Sequence, residues 1–120
     1  MTPEPRSKFR AKELAIVMSH YDVGAIQEIH GFRRGNTLSP KSKIITETGT
    51  YLLKKRAPGR DDPYRVAMAH ELELYLTEHG FCAPKLVGTI HSNATILETH
   101  GGIYELFEYI AVSYTHLRAH

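Results

Sequence analysis

Cysteine occurs once in these 120 residues, which rules out an internal disulfide. Cys82, between Phe81 and Ala83, reads as a small buried thiol rather than a nucleophile. No apolar run approaches the length of a membrane span, so a membrane partner is not expected. Charge of one sign is scarce as well. Fifteen Lys and Arg against thirteen Asp and Glu leave +2, too little for a nucleic-acid footprint to dominate the domain. Eight histidines are scattered without the cysteine–histidine spacing of a structural zinc site, and surface positions are the expectation. The first residues, MTPEPRSKFRAKE, are polar and lack the apolar centre of a secretory signal. Residues 1–11 read as a loose lead-in, and a cytoplasmic product is expected.

What is present is ordinary globular composition, 42% apolar and 23% charged, in a length that buries one core and not two. Leu14, Val17, Met18 and Tyr21 recur at helical spacing and predict a short amphipathic helix ending near Gly24. AIQEIHGF reads as a strand, RRGNTLSP breaks it, and SKIITE and TYLLKKR form a hairpin around the turn at Thr48 and Gly49. The clearest boundary follows. Asp62 is a good N-cap, Pro63 suits the first helical position and Gly80 supplies a left-handed stop, with Phe81 and Leu76 as the apolar pair of that ending. The helix therefore runs over 63–79, with Ala69, Leu72, Glu73 and Leu76 on its inward face. KLVGTI, ATILE and IYELFEYI then read as strands. The expected fold is α+β, a twisted antiparallel sheet of five to six strands with one long helix across it and a short N-terminal helix.

Chemistry concentrates at three places in that order. Lys54 lies near the end of the TYLLKKR strand, which would aim an ammonium of the kind that holds nucleotide phosphates. Glu73, on the inward face of the next helix, is placed to pair with it; His70 and Glu71 are rivals for that role. LFEYI offers backbone groups where a chain leaves a sheet, a way to read an adenine edge. The basic residues Lys54, Lys55, Arg56 and Arg60 are bunched, while acids gather in ELELYLTEH and YELFEY.

These segments, from about Leu14 to Ile110, resemble the N-terminal lobe of the aminoglycoside phosphotransferase and choline kinase superfamily, in its bacterial homoserine-kinase-like and spore-coat-kinase-like branches. The likeness is carried by GTYLLKKRAPGRDDPYRVAMAHELELYLTEHGFCAPKLVGT and IYELFEYI. It implies a protein-kinase-like N-lobe over 12–110 that binds ATP. Lys54 would contact the α- and β-phosphates, the carbonyl of Glu108 and the amide of Ile110 would meet the adenine edge, and Phe107 would stand behind it. Gly35 is the one glycine of FRRGNTLSPK, where protein kinases carry three, and either covers phosphate or makes an ordinary turn. The function implied is phosphoryl transfer from ATP to a small-molecule hydroxyl acceptor.

In such kinases the catalytic base and the Mg²⁺ ligands lie on a second lobe, in an H-x-D-x-x-x-x-N loop and a later acid. No such loop occurs in this sequence, so Mg²⁺ is expected only together with that lobe and the chain alone is expected to be inactive. Two other readings use the same residues: a freestanding module whose KKRAPGR loop meets RNA or an acidic partner, and a regulatory pseudokinase lobe. The last residues, VSYTHLRAH, read back through the genetic code as GTCTCTTATACACATCTCCGAGCCCAC, which resembles transposase-adapter DNA from sequencing libraries. Residues 111–120 are therefore expected to be a non-native tail, with the native reading frame continuing past Ile110.

Overall fold

The computed structural model describes residues 9–32, 40–56, 61–80, 85–99 and 101–109. Gly35, Phe81, Cys82, Ile110 and the 111–120 tail lie outside them. Among the described residues, seven elements run in the order α1 (Ala11–Met18), β1 (Ile26–Gly31), β2 (Lys41–Thr46), β3 (Thr50–Lys55), α2 (Pro63–Glu78), β4 (Leu97–Thr99) and β5 (Gly102–Glu108). The strands form one five-stranded sheet in the order β1-β2-β3-β5-β4, antiparallel at every neighbouring pair. The α+β class and the hairpin of β2 and β3 are as the sequence predicts.

Strand alternation gives the sheet two different faces. On one, Ile44, Leu53, Tyr104, Leu106 and Leu97 pack against Phe9, Leu14, Val17 and Met18 from α1 and its approach, and against Tyr21 and Val23 just after it. This is the core, and each such aliphatic side chain contributes about 1.5–3 kcal/mol by leaving water. The short helix therefore covers the apolar face, not the long one. It stops at Met18, earlier than expected: Ser19 turns its hydroxyl onto the Ile16 carbonyl at 2.6 Å, and the next amides bond only three residues back.

α2 begins as predicted, with the Asp62 carboxylate accepting the Tyr64 N–H at 3.0 Å, and Gly80 beyond its end has φ +82°. Its inward face differs from the prediction. Val66 and His70 are the buried residues and Glu73 is half-buried, whereas Leu72 is 59% exposed. Tyr64, Met68 and Tyr75 are exposed as well, so apolar residues surround this helix and their spacing gave no reliable stripe. The polar His70 is turned inward because a buried carboxylate on the sheet needs its proton.

KLVGTI is not a strand among the described residues. Only Leu86 bridges β5, at Phe107, with the Val87 amide donating to the Leu106 carbonyl and the Glu108 amide to the Lys85 carbonyl. Three residues later the chain turns: Thr89 donates its amide to Ala94 and accepts the amide of Asn93, and a Cβ on Gly88 would collide with the Asn93 side chain.

Candidate functional site

The register of β2, β3 and β5 brings the predicted lysine into a row. Lys41, Lys54 and Glu105 are cross-strand partners, so all three stand on the sheet face opposite α1. The next row on that face is His30, Lys43, Leu52 and Phe107. Two lysines lie over rings: Lys41 Nζ is 5.4 Å from the centre of Phe32, and Lys43 Nζ is 5.0 Å from that of Tyr109. The result is a sheet face where three ammonium groups alternate with apolar and aromatic side chains.

Glu105 does not neutralise this row. It is completely buried, and its carboxylate accepts from His70 Nε2 at 2.5 Å and from Arg56 Nη2 at 2.9 Å, both at Oε2. Arg56 Nε is 2.5 Å from Oε1, an ion-pair contact out of hydrogen-bond alignment. The other ring nitrogen of His70 lies 2.6 Å from the Thr95 hydroxyl, within hydrogen-bonding distance. Burial raises the Glu105 pKa, but the hydrogen bonds and charges of His70 and Arg56 outweigh that and hold it below the ordinary carboxylate range. The cluster joins α2, β5 and the end of β3.

Glu73 lies one helical turn beyond His70 and within the electrostatic reach of Lys54, Arg56, His70 and Glu105. Its Oε2 is buried without a hydrogen-bond partner, and burial pushes its pKa upward, with Glu105 adding to that and His70, Arg56 and Lys54 opposing it. Lys54 and Glu73 are neighbours, then, but not a bonded pair. Among the described residues no carboxylate lies within ion-pair distance of Lys41, Lys43 or Lys54.

The other expected residues fall as follows. Phe107 is buried on the lysine face beside Leu52. Glu108 is exposed on the opposite face, where its carboxylate approaches Lys85 Nζ at 3.8 Å, and its amide is committed to the Lys85 carbonyl. Glu71 is exposed, and no group of three His, Cys, Asp or Glu among the described residues could hold a metal. The sequence reading missed Lys41, Lys43, Arg56 and Glu105 as parts of this face. The alternation of Ile103, Glu105 and Phe107 was the available signal for Glu105, because it sets that acid on the side of Phe107 rather than in solvent.

No protein-family model matches the chain, and a search of curated proteins finds no significant relative. None of the helices among the described residues is long and apolar enough to cross a membrane.

Proposed function

We propose that this chain is the ATP-binding half of a small-molecule phosphotransferase that moves a phosphoryl group from ATP to a hydroxyl acceptor. The observation that carries the reading is the lysine face without ion-paired carboxylates among the described residues: Lys54, with Lys41 and Lys43, near Glu73 and in register with the half-buried Leu52 and the buried Phe107. Ammonium groups next to apolar and aromatic side chains suit a ligand that joins phosphates to a base. Bound ATP would supply the phosphoryl group. The chain's own contribution is to hold its phosphates on the lysines and its base near Phe107. Among the described residues no group of three His, Cys, Asp or Glu side chains could hold a metal ion.

Titration of the purified chain with ATP, followed calorimetrically, tests the reading. Weak but saturable binding is expected, with no phosphoryl transfer, because the sequence lacks the H-x-D-x-x-x-x-N loop that would position a nucleophile. Failure of ATP to compete for the face, or turnover in the normal enzymatic range, defeats it.

One observation favours a second reading. Phe32 and Tyr109 lie beneath lysines on an antiparallel sheet face, the mixture of cation and ring on which single-stranded nucleic acids stack. That reading requires an oligonucleotide to bind more tightly than ATP, with an affinity that falls steeply as salt rises.

A further inference from the structure

Lys41 and Lys54 are directly opposite each other in the antiparallel register of β2 and β3. Opposite residues have Cα atoms about 4.5–5.5 Å apart, and like charges in that relation destabilise a sheet. The Phe32 ring lies by Lys41 and Glu73 acts on Lys54 at a distance, but among the described residues no carboxylate makes an ion pair with either lysine. Glu105 completes the same row, but its oxygens are taken by Arg56 and His70. Glu28, on the same face at the edge strand, is 3.4 Å from His30. Glu73 is within the field of Lys54 but bonds to neither lysine. Lys41 is exposed and Lys54 only half-buried, so both are open to a solute. Two lysines rooted at directly opposite positions of the ladder and on the same face, with no carboxylate in ion-pair contact among the described residues, match a ligand whose negative charges are also adjacent.

We propose that Lys41 and Lys54 form the two jaws of a polyphosphate site, which selects ligands with at least two neighbouring phosphates over monophosphates. Lys41 thus joins Lys54 as a binding residue, and the pair takes over the charge complementarity that a single lysine with a bonded glutamate would not give. The inference rests on the nucleotide reading for the identity of the face, but its test separates the two.

The wild-type chain is titrated with sodium tripolyphosphate, ATP and AMP at about 0.15 M ionic strength, where distant surface charges are screened. Lys41→Met, Lys54→Met and Lys12→Met are compared, the last removing one charge from the exposed side of α1. Lys41→Met and Lys54→Met should each weaken tripolyphosphate binding at least about tenfold, and Lys12→Met by less than about twofold. Lys41→Arg should keep most of the affinity, and wild type should bind AMP far more weakly than ATP. Circular dichroism should show Lys41→Met folded, with a melting temperature unchanged or raised in the absence of anion, because a repulsion has been removed. A Lys41→Met loss no greater than that of Lys12→Met, or no binding of tripolyphosphate by wild type, overturns the proposal. ATP binding no tighter than tripolyphosphate would support the jaws while defeating the nucleotide reading.

Discussion

Among the described residues, each of the two faces of the sheet buries one glutamate at a helix, and they use it differently. On the α1 face, Glu13 accepts from the Tyr104 hydroxyl, from Lys55 Nζ at 3.2 Å and from the Arg10 amide at 3.3 Å. Gly102 leaves the space through which Lys55 runs, since a Cβ there would stand 2.6 Å from Lys55 Cε. Burial raises the Glu13 pKa, and these donors outweigh it and bring it below its ordinary value. That polar group is closed on itself inside a core. On the α2 face, Glu105 accepts two hydrogen bonds at Oε2 and has an ion-pair contact at Oε1, yet its neighbours are less well provided: Lys41 and Lys54 lack ion-paired carboxylates among the described residues and Glu73 Oε2 lacks a donor. The contrast separates a face whose charges are paired within the chain from one whose lysines have no ion-paired carboxylate among the described residues.

Removing each glutamate should break the comparison most visibly. Glu105→Ala leaves the Arg56 and His70 donors without their buried carboxylate and should cost about 3–5 kcal/mol in chemical denaturation. Glu13→Ala should cost less, about 1–3 kcal/mol, because the Lys55 ammonium can turn to water while the Tyr104 hydroxyl is left unpaired. Both carboxylates have folded-state pKa values below the ordinary 4.5. Their stabilisation is therefore complete above about that pH and is lost as pH falls through the folded values. Each substitution should flatten the acid limb of the stability profile. A larger loss for Glu13→Ala than for Glu105→Ala would show that the α1 face holds the more strained charge.

A smaller effect sharpens the same contrast within two adjacent residues. Lys54 and Lys55 point to opposite faces, as their partners show: Lys55 pairs with Glu13 and Lys54 with the open row. Lys54→Met should weaken ATP binding at least about tenfold with the unfolding midpoint little changed, whereas Lys55→Met should lower stability by about 1 kcal/mol and leave ATP binding within about twofold. Calorimetric titration and urea melts of both variants measure this. Equal losses of ATP affinity would mean that the two faces are not functionally distinct.

Most of this sheet was legible from alternation, turn residues and caps, because those signals are local. β2, β3, β5 and the start of α2 follow from Ile44, Leu53 and Leu106, from the Thr48 and Gly49 turn, and from Asp62 and Pro63. What was not legible depended on distant partners. Leu72 reads as inward on hydrophobicity alone, but His70 is the buried residue because Glu105, thirty-five positions later, requires a donor. The register that sets Lys41 against Lys54 is likewise a property of strand pairing, and neither lysine advertises the other in sequence. Lys54 stands out in the sequence as a lysine near the end of a strand; Lys41 stands beside it only once the ladder is known.

The smallest effect should come from Glu73, and its sign distinguishes two ways of using a helix acid. If Glu73 served mainly to hold Lys54 in the unliganded fold, the pair would favour the carboxylate, and removing its charge would destabilise the chain. Instead Oε2 is buried without a donor, and burial raises the folded-state pKa above the ordinary 4.5. A raised carboxyl pKa means that the fold favours the protonated form. The penalty is absent below about 4.5, grows as pH rises through the folded value and is constant beyond it. Glu73→Gln, which keeps the shape and never ionises, should raise the melting temperature at pH 7 by no more than about 4 °C and change nothing at pH 4. The same substitution should weaken ATP binding a few-fold, because Lys54 would lose the negative neighbour that steadies it when phosphate draws it across the row. Thermal melts at the two pH values, with an ATP titration beside them, read both effects. A lower melting temperature at pH 7 would mean that Glu73 already holds Lys54 in the free chain, and that the α2 face is more nearly satisfied by itself than its buried carboxylate indicates.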